Sequence, residues 1–373
     1  MIMAGYEYRG KKPFNNVYLT GIVRDKQGRK MSKSLGNSPD PLDLITKYGA
    51  DGVRVGMLLS SPAGNDLLFD EGLCEQGRNF SNKIWNAFRL VKGWEVDSKL
   101  EQPAVNKAAI AWFESRLSES LAEISEHYEK LRMSDALMSS YKLVWDDFCA
   151  WYLELVKPAY QQPIDAATLE ATTGFFERIL CIMHPFMPFI TEELWHLLRD
   201  RKEGDDIIIT AWPKATAKDA GILQSFPVAA ELISEIRNFR QSKGLSPKEA
   251  LDLKIRANGN VPALQQFSEA IIKLGNLTGI EHISEKPQGA FPFVVRELEC
   301  FIPMTENVDK DAERKRLAEE LEYTKGFLKS VAAKLGNERF VSNAKPEIVA
   351  AEQKKKSDAE AKIRAIEEAL SAL

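Results

Sequence analysis

The spacing of apolar residues changes along this chain, and the changes divide it. Near the start, Asn16-Val17-Tyr18-Leu19-Thr20-Gly21-Ile22-Val23 is a β-branched and aromatic run ended by Arg24-Asp25, which predicts a strand. Pro41 to Tyr48, with Pro at its head and Gly49 behind it, predicts a short helix, and residues 51–59 favour another. From about 66 to 199 the period is three to four. Phe80, Ile84, Phe88 and Val91 form one stripe, and Ile110, Phe113, Leu117, Leu121, Ile124 and Tyr128 form the next. A third runs from Ala136 to Leu155, and a fourth from Leu169 through Phe176, Ile179 and Leu180 until His184-Pro185 breaks it. A fifth begins around Thr191-Glu192-Glu193-Leu194-Trp195. Amphipathic helices with short connections predict a bundle.

Residues 200–220 read as a linker holding Ile207-Ile208-Ile209 and Trp212-Pro213, followed by a helix from Val228 to about Lys243. Leu251 to Arg256 alternates and predicts a half-exposed strand; Ala263 to Leu274 predicts a helix; Ile280–Ile283 and Val294–Phe301 predict further strands. The last stretch is the most regular. Leu317, Leu321, Thr324, Leu328, Val331 and Leu335 alternate steps of four and three until Gly336-Asn337, and Val349, Ala359, Ile363, Ile366, Leu370 and Leu373 resume the rhythm. The simplest product is an antiparallel two-helix coiled coil about 40 Å long. Glu352 and Lys356 fall on its seam and should weaken its middle. The fold class expected is mainly α, with segments at 1–70, 71–215, 216–304 (a small α/β unit) and 305–373.

Length and composition narrow this picture. A chain of 373 residues suggests two to three domains. The net charge of −4 carries no global signal for nucleic acid, although local patches can bind RNA on an acidic protein. Cys74, Cys149, Cys181 and Cys300 are far apart, which argues for reduced, cytosolic thiols rather than a disulfide frame. No run of about 18 apolar residues predicts a membrane span. Met1-Ile2-Met3-Ala4-Gly5 lacks the features of a signal peptide.

The candidate chemistry lies in Gly28-Arg29-Lys30-Met31-Ser32-Lys33-Ser34-Leu35-Gly36-Asn37. Lysines at i and i+3 on a Gly-bounded loop can close over a polyphosphate as point charges, with hydroxyls and backbone N–H groups as further donors. The string Lys30 to Asn37 resembles the second signature loop of class I aminoacyl-tRNA synthetases. The resemblance implies activation of an amino acid with ATP and Mg2+, with Lys30, Met31, Ser32, Lys33 and Ser34 at the nucleotide. Lys33 would be the main stabiliser of the leaving pyrophosphate, Lys30 its assistant, and Gly28 and Gly36 hinges. The family's first signature, His-Ile-Gly-His, does not occur in this chain, so the first 70 residues read as the end of a Rossmann-like catalytic domain. The chain is expected to be inactive alone.

Further strings narrow the resemblance. His184 to Trp195 resembles the anticodon-binding bundle shared by the synthetases for valine, isoleucine, leucine and methionine, and Pro39-Asp40-Pro41-Leu42-Asp43, Gly64-Asn65-Asp66, Arg78 to Ala87 and the turn from Leu335 to Val341 together resemble the valyl-tRNA synthetase family. That implies L-valine and valine tRNA as partners, an anticodon-binding bundle, a tRNA-binding arm and a monomer. Arg78, Asn82, Lys83 and Arg89 are candidate RNA contacts, because Arg and Asn can stack on and hydrogen-bond to exposed bases. Arg237, Arg240 and Lys243 form either a small phosphate-contacting patch or a solvated face. Cys181, His184 and His196 lack the spacing of a metal site, so no metal is expected. The alternative from another class is a non-catalytic helical RNA- or protein-binding module that dimerises through its coiled coil.

Overall fold

The computed structural model describes residues 1–61, 64–256, 261–303, 310–336 and 346–372. It divides into two units, Met1–Asp219 and Ala220–Leu373.

In the first unit α1 (Ile2–Arg9) is followed by an extended segment, and β1 is only Val23–Arg24, paired in parallel with β2 (Leu67–Leu68). The strand expected from Asn16 is therefore confined to its last residue. β-branched residues form a strand only where a neighbour accepts their hydrogen bonds; here Val17 and Leu19 stand exposed at 63% and 78%. α2 (Pro41–Tyr48) forms as expected, with the Asp40 carboxylate capping Leu42 N at 2.8 Å and Pro41 at the first helical position. α3 (Ala50–Leu59) packs tightly on α4 (Glu71–Lys92). The contact depends on missing side chains: a Cβ on Gly56 would lie 2.6 Å from Cys74 N, and one on Gly77 2.5 Å from Gly52 O.

The bundle continues through α5 (Ala104–Glu129), α6 (Met133–Lys142), α7 (Leu153–Val156), α8 (Ala166–Met183) and α9 (Pro188–Leu198), with β3 (Val96–Asp97) paired in parallel to β4 (Ile164–Asp165). Between α6 and α7 the chain stays helical but winds as a π-helix over Leu143–Tyr152. Its buried Val144, Phe148 and Tyr152 step by four throughout, which a wider turn keeps on one face. At the centre Phe113 meets Phe148, Tyr152 and Phe175 with ring centroids 5.3, 4.9 and 5.0 Å away. Tyr152 is the one polar group in that cluster, and its hydroxyl bonds Thr172 at 2.8 Å. The break expected at His184-Pro185 is present, because α8 ends at Met183. A buried carboxylate then joins the bundle to the segment before it. Asp51 of α3 accepts from Phe189 N at 3.3 Å and Ile190 N at 2.7 Å at the start of α9. Arg54 donates to the carbonyls of Pro185 and Phe186.

In the second unit α10 (Ala220–Ser242) starts earlier than expected and runs through Pro227. Ile222 and Phe226, buried ahead of the proline, anchor that extra turn, with Phe226 edge-on to Phe267 at 5.3 Å. β5 (Leu251–Arg256), α11 (Pro262–Gly275) and β6 (Leu277–His282) form a parallel βαβ unit. β7 (Ala290–Val295) and β8 (Leu298–Pro303) complete a sheet of order β6-β5-β8-β7. The single strand expected at 294–301 is thus a hairpin. Its turn places Arg296 at φ 54°, and the Arg296 guanidinium is held by both oxygens of Glu231. α12 (Lys310–Leu335) and α13 (Pro346–Ala372) pack along each other in opposite directions, as the pairs Lys325–Glu367 and Lys334–Glu352 require. Leu317 and Ile366 are buried, and the partly buried Phe291 of β7 packs against them. The turn expected at 337–345, and Leu373, lie outside the described residues.

Candidate functional site

The turn Asp25-Lys26-Gln27-Gly28 follows β1, with Gly28 N bonded to Asp25 O at 2.8 Å and Gly28 at φ 75°. Arg24 and Lys30 then form a short antiparallel bridge. Ser32 starts a single 3₁₀ turn (Lys33–Leu35), its hydroxyl accepting from Leu35 N at 3.3 Å and lying 3.2 Å from the Ser34 hydroxyl. Gly36 ends the turn in the left-handed region at φ 63°. The side chains of Lys30 and Lys33 are exposed, and among the described residues neither pairs with a carboxylate. The two serine hydroxyls and two uncommitted ammonium groups are donors suited to a polyphosphate.

What shapes the loop was not apparent in its lysines. Asp25 Oδ1 accepts from Gln27 N and Arg29 N at 3.0 and 2.9 Å, and Oδ2 accepts from Arg29 Nε at 2.8 Å and Asn37 Nδ2 at 3.0 Å. Asn37 in turn donates to Lys30 O and accepts from Ser32 N at 2.9 Å. The Asn37 amide, then Arg29, hold the Asp25 carboxyl well below the usual carboxylate range. A second carboxylate secures the base of the loop. Asp66 accepts from Ile22 N and from Arg24 Nε, and Arg24 also reaches Gly28 O at 3.1 Å. Lys26 pairs with Asp70, the cap of α4, at 2.9 Å, while Glu71 receives Lys47 and the Tyr48 hydroxyl. The loop, α2 and the start of α4 therefore share one charged network.

α4 carries the first set of expected RNA contacts. Arg78, Asn82 and Arg89 share one side of the helix with the half-exposed Trp85. Arg78 pairs with Glu75 at 3.1 Å. Lys83 points elsewhere and stacks over the Trp145 ring at 5.4 Å.

Arg240 does not belong to the set. It is 7% exposed, and its guanidinium is spent on the carbonyls of Gly275, Ser246, Glu249 and Asn276. Ala229, Ile233, Ile236 and Arg240 follow one buried stripe, a signal that the i, i+3, i+6 reading overlooked. Arg237, one turn before Arg240, lies at the edge of that stripe and is exposed.

The residues weighed for a metal have separate partners. His184 Nδ1 lies 2.8 Å from the Thr191 hydroxyl, and His196 lies 3.2 Å from Glu192 and Asp206. Among the described residues no helix is long and apolar enough to cross a membrane.

Three family models match the chain in order. Residues 1–70 match the class I tRNA synthetases for I, L, M and V, 111–255 the anticodon-binding domain of tRNA ligases, and 309–373 the valyl tRNA synthetase tRNA binding arm. Curated relatives align over the whole chain. The valine–tRNA ligase of Christiangramia forsetii is 56% identical over 373 residues, and that of Parabacteroides distasonis 53%; each alignment covers 100% of this chain and 42% of the relative. The valine–tRNA ligase of Fusobacterium nucleatum is 35% identical over 99% of this chain and 43% of its own length. The chain belongs to the valine–tRNA ligase family. It spans less than half the length of these relatives, and its matched regions are a class I tRNA synthetase segment, an anticodon-binding domain and a tRNA binding arm.

Proposed function

We propose that this chain is the part of a valine–tRNA ligase that closes over the leaving pyrophosphate and grips valine tRNA. The observation that carries the reading is the pair of exposed, uncommitted ammonium groups of Lys30 and Lys33 on a loop already folded by its neighbours. When valine is activated with ATP and Mg2+, negative charge grows on the pyrophosphate. Cations that meet it only at that stage lower the barrier selectively. Lys33 is the main such cation and Lys30 the second; Ser32 and Ser34 keep the turn, and the glycines on either side let it move. The exposed apolar residues Ile2, Met3, Val17, Tyr18, Leu19 and Ile22 form a surface that the rest of a catalytic domain covers.

The remaining segments serve the tRNA, in a division at 1–70, 71–215, 216–304 and 305–373. The Arg78, Asn82, Trp85 and Arg89 face stacks on and hydrogen-bonds to anticodon bases, with Lys83 beside it. Arg237 supplies a phosphate contact. In the coiled-coil arm, Lys329, Lys354 and Arg364 are exposed cations set to meet phosphate. That the two helices bury their own seam supports a monomer rather than a dimerising module, and we place the chain in the cytoplasm with the protein synthesis it serves.

The test is binding of valine tRNA by this chain in an RNA mobility assay across a salt series. Valine tRNA is expected to bind with salt-sensitive affinity and to be preferred over the same tRNA with a changed anticodon. Arg89→Ala should remove roughly 1–3 kcal/mol of that preference. Equal binding of both tRNAs would refute the anticodon role. Because His-Ile-Gly-His does not occur among its residues, the chain alone should show no valine-dependent ATP–pyrophosphate exchange.

A further inference from the structure

The lysine loop has a keystone outside its lysines. Asp25 lies before the loop and Asn37 at its end, and the two side chains meet at 3.0 Å across twelve residues of sequence. Asp25 also takes the backbone N–H groups of Gln27 and Arg29, and Asn37 takes that of Ser32 while donating to Lys30 O. Both ends of the segment that carries Lys30 and Lys33 are thereby tied to one carboxylate. The Asp25 side chain is only 13% exposed, although every residue from Lys33 to Gly36 is open to solvent. Arg29 lies against the same carboxylate, its Nη2 2.7 Å from Oδ2, and neutralises a charge that would otherwise repel an incoming anion beside Lys30.

We propose that Asp25, acting through Asn37, is a positioning residue that holds Lys30 and Lys33 in the geometry of a polyphosphate receptor. Asp25 does not touch the anion itself. It preorders the loop, so that the cost of arranging two lysines and two serines is met in folding rather than at binding. The polarity of the contact matters as much as its presence. Asn37 must donate to Asp25 and accept from Ser32, so an amide at both positions, or a carboxylate at both, opposes like groups. This inference rests on the reading of the loop as a pyrophosphate site, and its test separates the two.

The experiment uses the full chain with two readouts: hydrogen exchange of the Ser32, Leu35 and Gly36 amides, and titration with inorganic pyrophosphate followed by phosphorus NMR. In Asp25→Asn and Asn37→Ala, exchange at those amides should accelerate at least tenfold and the pyrophosphate dissociation constant rise by a similar factor. Affinity for valine tRNA should stay within twofold. The double variant Asp25→Asn with Asn37→Asp restores one donor and one acceptor across the contact and should recover part of both losses. Unchanged exchange in both single variants would overturn the proposal, whatever the pyrophosphate result. Lys33→Ala is the separate control. If it leaves pyrophosphate affinity unchanged, the receptor reading fails, while exchange in the Asp25 variant still decides whether the latch exists.

Discussion

The lysine-loop segment and the helical bundle that follows it are held together by different physics. In the bundle Phe113, Phe148, Tyr152 and Phe176 are almost wholly buried, and their rings pack at 5 to 6 Å. From Gly21 to Asp40 no side chain is buried; Asp25, Arg24, Asp66 and Asn37 hold the chain by hydrogen bonds between charged and amide groups. Burial is non-directional and scales with area, so a core resists the loss of any one contact angle. A polar latch depends on direction and can be opened by one proton or one wrong donor. A loop proposed to open and close is suited by the second, and a scaffold proposed to hold an RNA-binding face is suited by the first.

The largest effect should come from the bundle's centre. Phe113→Ala removes a ring that touches three others and is expected to cost about 3–5 kcal/mol, read by urea unfolding of the chain. If the two regions are as distinct as their bonding suggests, exchange of the Ser32 and Gly36 amides should not change below the denaturant transition. An equal acceleration there would show one cooperative unit and erase the contrast. A smaller cost is expected where the two regions meet. Gly56→Ala would place a methyl 2.6 Å from Cys74 N, and α3 must withdraw from α4. Overpacking of this kind costs about 1–3 kcal/mol. Because α3 also carries Asp51 and Arg54, the variant should loosen the start of α9 as well, seen as faster exchange at Phe189 and Ile190.

These contrasts also explain what the sequence could reveal. Period is a local property, so the seam of α12 was readable in full: Leu317, Thr324 and Val331 are buried, with Leu321, Leu328 and Leu335 half-buried between them. Glu352 was expected to weaken that seam, and it lies buried against Lys334 and Lys355. The bundle stripes were legible for the same reason, and the lysine loop was legible through resemblance. Contacts between distant residues were not. The Asp25–Asn37 latch crosses the loop, and Gly52, Gly56 and Gly77 gain meaning only when α3 lies on α4. The hairpin at Arg296-Glu297 lacks the Asn-Gly or Asp-Gly that marks such turns, because Glu231 holds Arg296 from another element. Arg240 shows the same limit: its charge suggests a surface role, but its place in the buried stripe of Ala229, Ile233 and Ile236 decides its partners.

The smallest expected effect concerns acid, and it separates two carboxylates of opposite sign. Hydrogen bonds from Asn37 and Arg29 depress the Asp25 carboxyl, so the folded loop binds its proton less readily than the unfolded chain. Such a group contributes stability that is full above the ordinary value of about 3.9 and is lost only as pH falls through the lower folded value. Asp51 is shifted the other way, chiefly by burial, against the backbone N–H groups of Ile190 and Phe189 that favour its charge. The folded chain holds that proton more tightly than the unfolded one, so its contribution to stability falls as pH rises through the window above the ordinary value and is recovered on acidification. Between neutral pH and about 4, then, the protection of the Ser32, Leu35 and Gly36 amides should not change once intrinsic rates are divided out. Over the same range Asp51→Asn should alter the pH slope of unfolding in the first unit, while Asp25→Asn should not. A loop that opened already near pH 5 would mean that its carboxylate is not held as the geometry requires.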